Sequence, residues 1–128
     1  MQPQILERLV TEFNARHYRE AAEAAHEGAL LAGGGRDERF WSGLQDTCTG
    51  YALLMDKKLG QAEAKLASAI ESLRNFGFLY QNVEVTSVLA GLRRGVEEIR
   101  AVRGKQKSAF DMTLLPNIRM VARAENDR

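Results

Sequence analysis

Apolar residues recur every three or four positions along most of the chain and divide it into five predicted helices. In the first of them the apolar stripe consists of Ile5, Leu6, Leu9, Val10 and Phe13. Such a stripe is typical of an amphipathic helix that buries one face. The second helix is predicted to run from Tyr18 to Leu31, and the three consecutive glycines at 33–35 end it.

Three further helices are predicted beyond the glycines. Helix three takes Asp37 as its N-cap and ends at Met55. Helix four runs from Gly60 to Asn75, and helix five takes Asn82 as its N-cap and ends at Val102. No segment alternates between apolar and polar residues for long enough to predict a strand. The chain is therefore predicted to be all-α, with about five helices in antiparallel hairpins that form a compact bundle.

Two of these segments resemble each other, which indicates an internal repeat. Residues 18–25 and 59–70 each place small side chains one helical turn apart, so that a partner helix can approach closely. Both segments are predicted to be the second helix of a hairpin. Their separation of about 41 residues lies in the range of helical repeat proteins.

A polar linker and an extended tail are predicted at residues 103–128, outside a helical bundle domain at residues 1–102. The apolar patch of this tail consists of Leu114, Leu115 and Ile118. Pro116 disfavours a helix across the patch. Because such side chains gain by leaving water, the tail is predicted to pack on its own bundle or on a neighbouring subunit. Residues 123–128 are predicted to be disordered.

Composition narrows the class of protein. A chain of 128 residues suffices for one domain with a core, and 45% hydrophobic and 27% charged residues are ordinary for a globular protein. A net charge of +1 gives no overall reason to bind nucleic acid or an anionic membrane. The chain has neither a secretory signal pattern nor a long apolar run, and its one cysteine, Cys48, lies in a helical pattern. These features predict a cytoplasmic protein with no membrane span and a buried, unreactive thiol.

One face of helix two is the candidate site for chemistry. Glu23 and His26 are three residues apart, which is how helix bundles present metal ligands, and Glu20 and Glu27 flank them. A carboxylate-rich metal site needs a second such motif, and helices three and four contain no histidine. The preferred interpretation is therefore a solvent-exposed acidic face, with no metal and no cofactor. The alternative is a small metal-dependent enzyme or metal-binding protein.

A candidate interaction surface includes the start of helix three. Phe40 is predicted to lie in the core, and Trp41, which points about 100° away from it, is predicted to be partly exposed. The competing interpretation packs Trp41 under the glycine loop. The full candidate surface consists of Tyr18, Trp41, Gln45, Leu114, Leu115 and Ile118.

A basic cluster near the end of helix five suggests a second kind of partner. It consists of Arg93, Arg94, Arg100, Arg103, Lys105 and Lys107. A basic helix end can bind phosphate groups, and it also complements the helix dipole. Because no aromatic residues are interleaved for base stacking, a nucleic-acid partner is disfavoured.

Short motifs spread along the chain resemble those of one known family. The matching positions are Phe13-Asn14, Tyr18, Glu20 and Glu23, then Arg39-Phe40, Gly43, Leu44 and Gln45, then Ala62, Leu66, Ala69, Ile70 and Leu73, and Leu115 to Ile118 in the tail. In order and spacing they resemble the family catalogued as domain of unknown function, family 309. The resemblance covers residues 5–100 and the tail, and it implies a small bundle related in shape to tetratricopeptide hairpins, with no established activity.

The chain departs from this family in its second helix. Members usually carry His-Glu there, followed a turn later by Glu and then Trp. This chain has Ala22-Glu23, His26 and Ala29 at those positions. If the family builds a polar site on that histidine, this chain has lost or moved it.

The sequence as a whole favours a non-catalytic role. It contains no recognisable nucleophile arrangement, and the glycines at 33–35 lack the Gly-Lys-Ser/Thr that completes a phosphate loop. The predicted function is a protein-interaction or oligomerisation module. A shallow groove between hairpins would take a protein partner or a second copy of the chain.

Overall fold

Five α-helices pack against one another in the computed structural model, which describes residues 2–121. The predicted disorder at 123–128 lies outside these residues. The helices are α1 (Pro3–Asn14), α2 (Tyr18–Ala32), α3 (Gly35–Met55), α4 (Leu59–Leu73) and α5 (Val85–Arg103). A short antiparallel hairpin, β1 (Leu79–Tyr80) and β2 (Val83–Glu84), precedes α5, and a single 3-10 turn (Met112–Leu114) lies in the tail. The all-α prediction is confirmed.

The core lies around α3, which packs against α2 on one side and α4 on the other. The helices approach closely because glycines accept large side chains from the neighbouring helix. These pairs are Gly28 with Trp41, Gly43 with Leu73, and Gly50 with Leu66. At each of these glycines an added Cβ would overlap the side chain that lies against it. The predicted small-residue faces of α2 and α4 lie inside the bundle, where Ala21, Ala25, Ala62 and Ala69 are fully buried.

The first, third and fifth helices all end in the same turn. The residue at this turn has a positive φ in each case, 70° at Arg16, 62° at Lys57 and 63° at Lys105. In each turn two backbone N–H groups bond back to carbonyls three and five residues earlier, which is a Schellman helix end. Arginine and lysine are less suited than glycine to this backbone, but their charge is favourable at a helix C-terminus. The repeat is therefore visible in the backbone as well as in the sequence.

The third of these turns leads to no second helix. After Arg16 and Lys57 a helix begins within two residues, whereas after Lys105 the chain continues as a linker (residues 104–109) and a tail (residues 110–121). Gly43 of α3 and Gly91 of α5 occupy equivalent positions, since each lies fourteen residues before its turn. Gly43 lies against the following helix, and Gly91 lies against Pro116 of the tail. The tail therefore occupies the position of the missing sixth helix.

Two predicted helix starts and the predicted absence of strands are wrong. Asn82 does not cap α5, because it forms the turn of the β-hairpin with Gln81, both at positive φ. Two such residues give the tight turn that suits a two-residue hairpin. Asp37 does not cap α3, which begins at Gly35; its carboxylate accepts hydrogen bonds from Tyr80 and Gln81 of the hairpin instead.

Because Gly28 lies directly against Trp41, adding a single methyl group at position 28 is predicted to destabilise the fold. Because Trp41 is 1% exposed and cannot move away, Gly28→Ala should lower the free energy of unfolding by about 2 kcal/mol. Gly60→Ala is the matched control, since its Cβ would lie 3.5 Å from the nearest side chain. That change should be neutral or stabilise by up to about 1 kcal/mol. Urea unfolding of both variants measures the difference, and equal effects would contradict the packing.

An ion-pair cluster between α4 and α5 predicts a pH dependence. Glu63 accepts hydrogen bonds from Arg100 at 2.8 Å and from Arg103 at 2.6 Å, and these bonds hold the pKa of Glu63 below its usual value. A lowered pKa stabilises the fold above the unfolded value of about 4.3, and the contribution disappears as the pH falls through the folded value.

Glu63→Gln should therefore cost up to about 1 kcal/mol at pH 7 and progressively less toward pH 3. Glu71→Gln is the control, because Glu71 is well exposed and pairs with Arg74, the residue that follows its own helix. Urea unfolding across this pH range tests the expectation. A difference in the free energy of unfolding between wild type and Glu63→Gln that stays constant with pH would contradict this expectation.

Candidate functional site

The predicted polar site on α2 is divided between different surfaces. Glu23 and His26 line an open cavity of about 400 Å³ between α2 and α3, together with Arg19 and Gln45. Glu27 points instead toward α1, where its carboxylate pairs with Arg8 at 2.8 Å. Glu23 and His26 are both exposed on this surface.

The fold does not bring these four side chains together at one point where they could bind a metal ion. Glu20 lines a separate cavity near the first helical turn of α2. Within residues 2–121, no group of three or more His, Cys, Asp or Glu side chains is arranged to hold a metal ion. The geometry that the metal-dependent alternative requires is therefore missing from this part of the chain.

Three members of the predicted interaction surface are buried, and the partly exposed position predicted for Trp41 is wrong. Trp41 is 1% exposed, and Tyr18 and Ile118 are each 3% exposed. Trp41 packs on α2 because Gly28 leaves room for its ring. Tyr18 packs with the rings of Phe13 and Tyr51, at centroid distances of 5.2 and 5.6 Å. The other three members, Gln45, Leu114 and Leu115, are half-buried.

The tail runs back along α5 and docks on the same chain, which is one of the two arrangements that the sequence predicts. Asn14, at the end of α1, recognises the main chain of Ile118 twice. Its side-chain carbonyl accepts from the Ile118 N–H at 2.8 Å, and its side-chain amide donates to the Ile118 carbonyl at 3.0 Å. Arg16 donates to the carbonyls of Pro116 at 2.7 Å and Leu115 at 3.3 Å. All four bonds are made to the tail's backbone and none to its side chains.

Two further contacts fix the position of the tail. An added Cβ on Gly91 would lie 2.8 Å from the ring of Pro116, so the proline sits directly on the backbone of α5. Farther along, Met120 pairs with Val83 of β2 as an antiparallel bridge. The two bonds of this bridge run from the Glu84 N–H to the Arg119 carbonyl and from the Val121 N–H to the Asn82 carbonyl, both at 2.9 Å. We call Asn14, Arg16, Val83 and Gly91 the tail-binding surface.

The sequence gives almost no sign of the tail-binding surface. Asn14 and Arg16 lie in the segment that interrupts the apolar pattern after helix one, about 100 residues before their partners. The position of Gly91 inside a predicted helix is one indication of a close contact, because glycine is otherwise unfavourable in a helix. Asn14 lies in a motif matched to family 309, but the resemblance assigns it no role.

Three of the six residues in the basic cluster at and beyond the end of α5 pair with carboxylates. Arg100 and Arg103 both pair with Glu63, and Lys107 pairs with Glu98. This pairing leaves less free positive charge for a phosphate backbone than the sequence suggests. None of the helices within residues 2–121 has the length and apolar character needed to cross a membrane.

Large apolar side chains are exposed where the sequence does not predict them. Leu30 and Leu31 are 70% and 56% exposed on the last turn of α2. Phe78 and Leu79 are 59% and 43% exposed at the start of the β-hairpin. Contacts of Arg36 with Asn75 and the ring of Phe76 join the start of α3 to the hairpin segment, so both pairs belong to the same end of the bundle. Exposed apolar groups of this kind are typical of interaction surfaces.

Comparison of the chain with family models, with curated proteins and with solved structures finds no match in any of the three. The resemblance to family 309 therefore stays a prediction from the motifs.

Cys48 allows a direct check on the packing of the core. The residue is fully buried, and burial raises the pKa of its thiol well above the usual value. Because the reactive form is the thiolate, a thiol reagent should modify the native chain only as fast as the chain unfolds. Absorbance with a chromogenic disulfide reagent measures the rate. Rapid reaction of the folded chain, at the rate seen in denaturant, would contradict the buried position.

Proposed function

We propose that the chain is a non-catalytic protein-interaction module that binds an extended segment on the tail-binding surface. The single observation that carries this proposal is the docked tail. Its main chain is bonded by Asn14, Arg16 and β2, while Pro116 and Ile118 fill fixed positions. Peptide-recognition domains bind extended ligands in this way, with backbone bonds and added strands for affinity and a few side-chain sites for specificity.

The contacts define the kind of segment that fits. Bonds to the backbone accept any sequence, so Asn14 and Arg16 set the position of a ligand rather than its identity. The close approach to Gly91 favours a proline ring, and the position of Ile118, 3% exposed, favours an aliphatic side chain. The predicted ligand is an extended segment with an apolar residue, proline, any residue and an aliphatic residue in that order.

Several features of the chain are consistent with a protein ligand. Pairing of the α5 arginines with Glu63 weakens the case for nucleic acid. The open cavity beside Glu23 and His26, and the exposed Leu30 and Phe78, offer further surface to a protein partner. Membership of family 309 and a cytoplasmic location are part of the same proposal, from the sequence motifs and the single cysteine.

Binding of the tail as a separate peptide tests this function. In full-length Ile118→Asp the resident tail should leave the surface, because an aspartate cannot occupy an apolar site without a partner. A labelled peptide of residues 110–121 should then bind saturably, measured by fluorescence anisotropy. Wild type should bind the same peptide at least about tenfold more weakly, since its own tail occupies the surface in most molecules.

Two controls make this experiment decisive. A peptide carrying aspartate at position 118 should not bind. Adding Asn14→Ala to the Ile118→Asp chain removes two hydrogen bonds and should weaken binding by about tenfold or more. Folding of each variant is checked by circular dichroism. Absence of peptide binding to a folded Ile118→Asp chain would reject the proposed function.

A further inference from the structure

A second set of contacts holds the tail at a point outside the tail-binding surface. Glu98 lies on α5, and its carboxylate is only 8% exposed. Both of its oxygens accept hydrogen bonds from the Lys107 ammonium, at 3.0 and 2.9 Å. One of them also accepts the backbone N–H of Asp111 at 3.0 Å, at the start of the tail. We call the Glu98–Lys107 pair the latch.

The latch depends on the charge of Lys107. Removing the cation would leave the nearly buried carboxylate of Glu98 without its charged partner, which destabilises the arrangement. Arg94 and Glu97 of α5 line the same open cavity of about 540 Å³ as Glu98, and the charged side chain of Asp111 also lies near Lys107. Lys107 itself is 47% exposed, so the latch can open to solvent without unfolding the helix.

The linker supports the same conclusion. Its residues 104–109 are all exposed, and the reversal after α5 rests on Lys105 at positive φ and on the Gln106 and Lys107 N–H groups, which both bond to the Ala101 carbonyl. The linker makes few contacts compared with a packed helix. Local opening of such a segment requires much less free energy than unfolding the bundle.

We propose that the tail is a resident competitor, and that the latch determines how readily an extended segment of a partner protein replaces it. This inference rests on the proposed function, because it concerns the same surface. With the latch closed, the tail is held close to the surface at a high effective concentration. With the latch open, the tail departs more often and the surface becomes free for a partner segment of the same apolar-proline-x-aliphatic chemistry.

The covalent attachment of the tail to its own chain also favours a partner protein over a second copy of the chain as the other occupant of the tail-binding surface. The tail of a second copy can make the same contacts as the resident tail but no additional ones. Since the resident tail makes them without the entropy cost of association, it outcompetes a second copy at ordinary concentrations. A partner protein can add contacts elsewhere, for example at the exposed Leu30 or Phe78, and so displace the tail.

Charge variants of the full-length chain test the latch. Lys107→Gln removes the cation without touching the tail-binding surface, and it should increase the affinity for the 110–121 peptide by about tenfold, or about 1.4 kcal/mol. Lys107→Arg keeps the charge and should stay near wild type. Lys105→Gln is the matched control, since it removes a lysine that is exposed in the same linker. Anisotropy with the labelled peptide measures all four chains.

The outcomes separate the latch from the proposed function. Equal affinity of Lys107→Gln and Lys105→Gln would overturn the latch, and peptide binding to Ile118→Asp would then still support the function. If neither Ile118→Asp nor Lys107→Gln binds the peptide although both variants are folded, the latch and the proposed function would both be rejected. If Lys107→Gln does not fold, Glu98→Gln takes its place, with the same expected increase. Concentration-dependent dimers of Lys107→Gln in sedimentation equilibrium would show that a second copy is the occupant and overturn the partner-protein assignment.

Discussion

Large side chains of one helix lie directly against the backbone of the next, and this close packing is possible only because glycine stands at the point of contact. Trp41 on Gly28 joins α2 to α3, and Leu73 on Gly43 joins α3 to α4. Each contact fixes both the separation of two helices and the sequence register between them. Since interiors are packed to the density of organic crystals, a helix pair fixed at such a contact has few alternative arrangements.

The same rule explains how the repeat ends. Gly91 is the α5 counterpart of Gly43, and it too is covered by a side chain of the following segment. That segment contains Pro116, which is incompatible with the interior of a helix. The chain therefore covers α5 with an extended strand instead of a sixth helix. An extended strand leaves its backbone groups unpaired, and Asn14, Arg16 and β2 are the partners that the fold supplies.

The sequence predicts the helices well because each carries an apolar stripe over three or more turns. It fails where structure depends on contacts between distant residues. Trp41 is buried through a glycine on another helix, which the apolar pattern of α3 does not show. The hairpin at residues 79–84 has strands of two residues, too short for alternation to be recognised. Docking of the tail is predicted from its apolar residues, but Asn14 and Arg16 are ordinary polar residues at a helix end, and nothing local marks them as its partners.

A surface that recognises backbone atoms has consequences for what it can discriminate. Hydrogen bonds to carbonyl and N–H groups are available to every sequence, so they supply affinity and alignment without selecting a ligand. Selection is left to the two places where shape matters, the proline site at Gly91 and the aliphatic site of Ile118. Two such sites distinguish partners only modestly, so a surface of this kind would bind many extended segments if it stood open. Under the proposed function, a tail that already fills the surface and is held by Glu98 outside the recognition contacts would supply the selectivity that the surface itself lacks, because only a segment with further contacts could displace it.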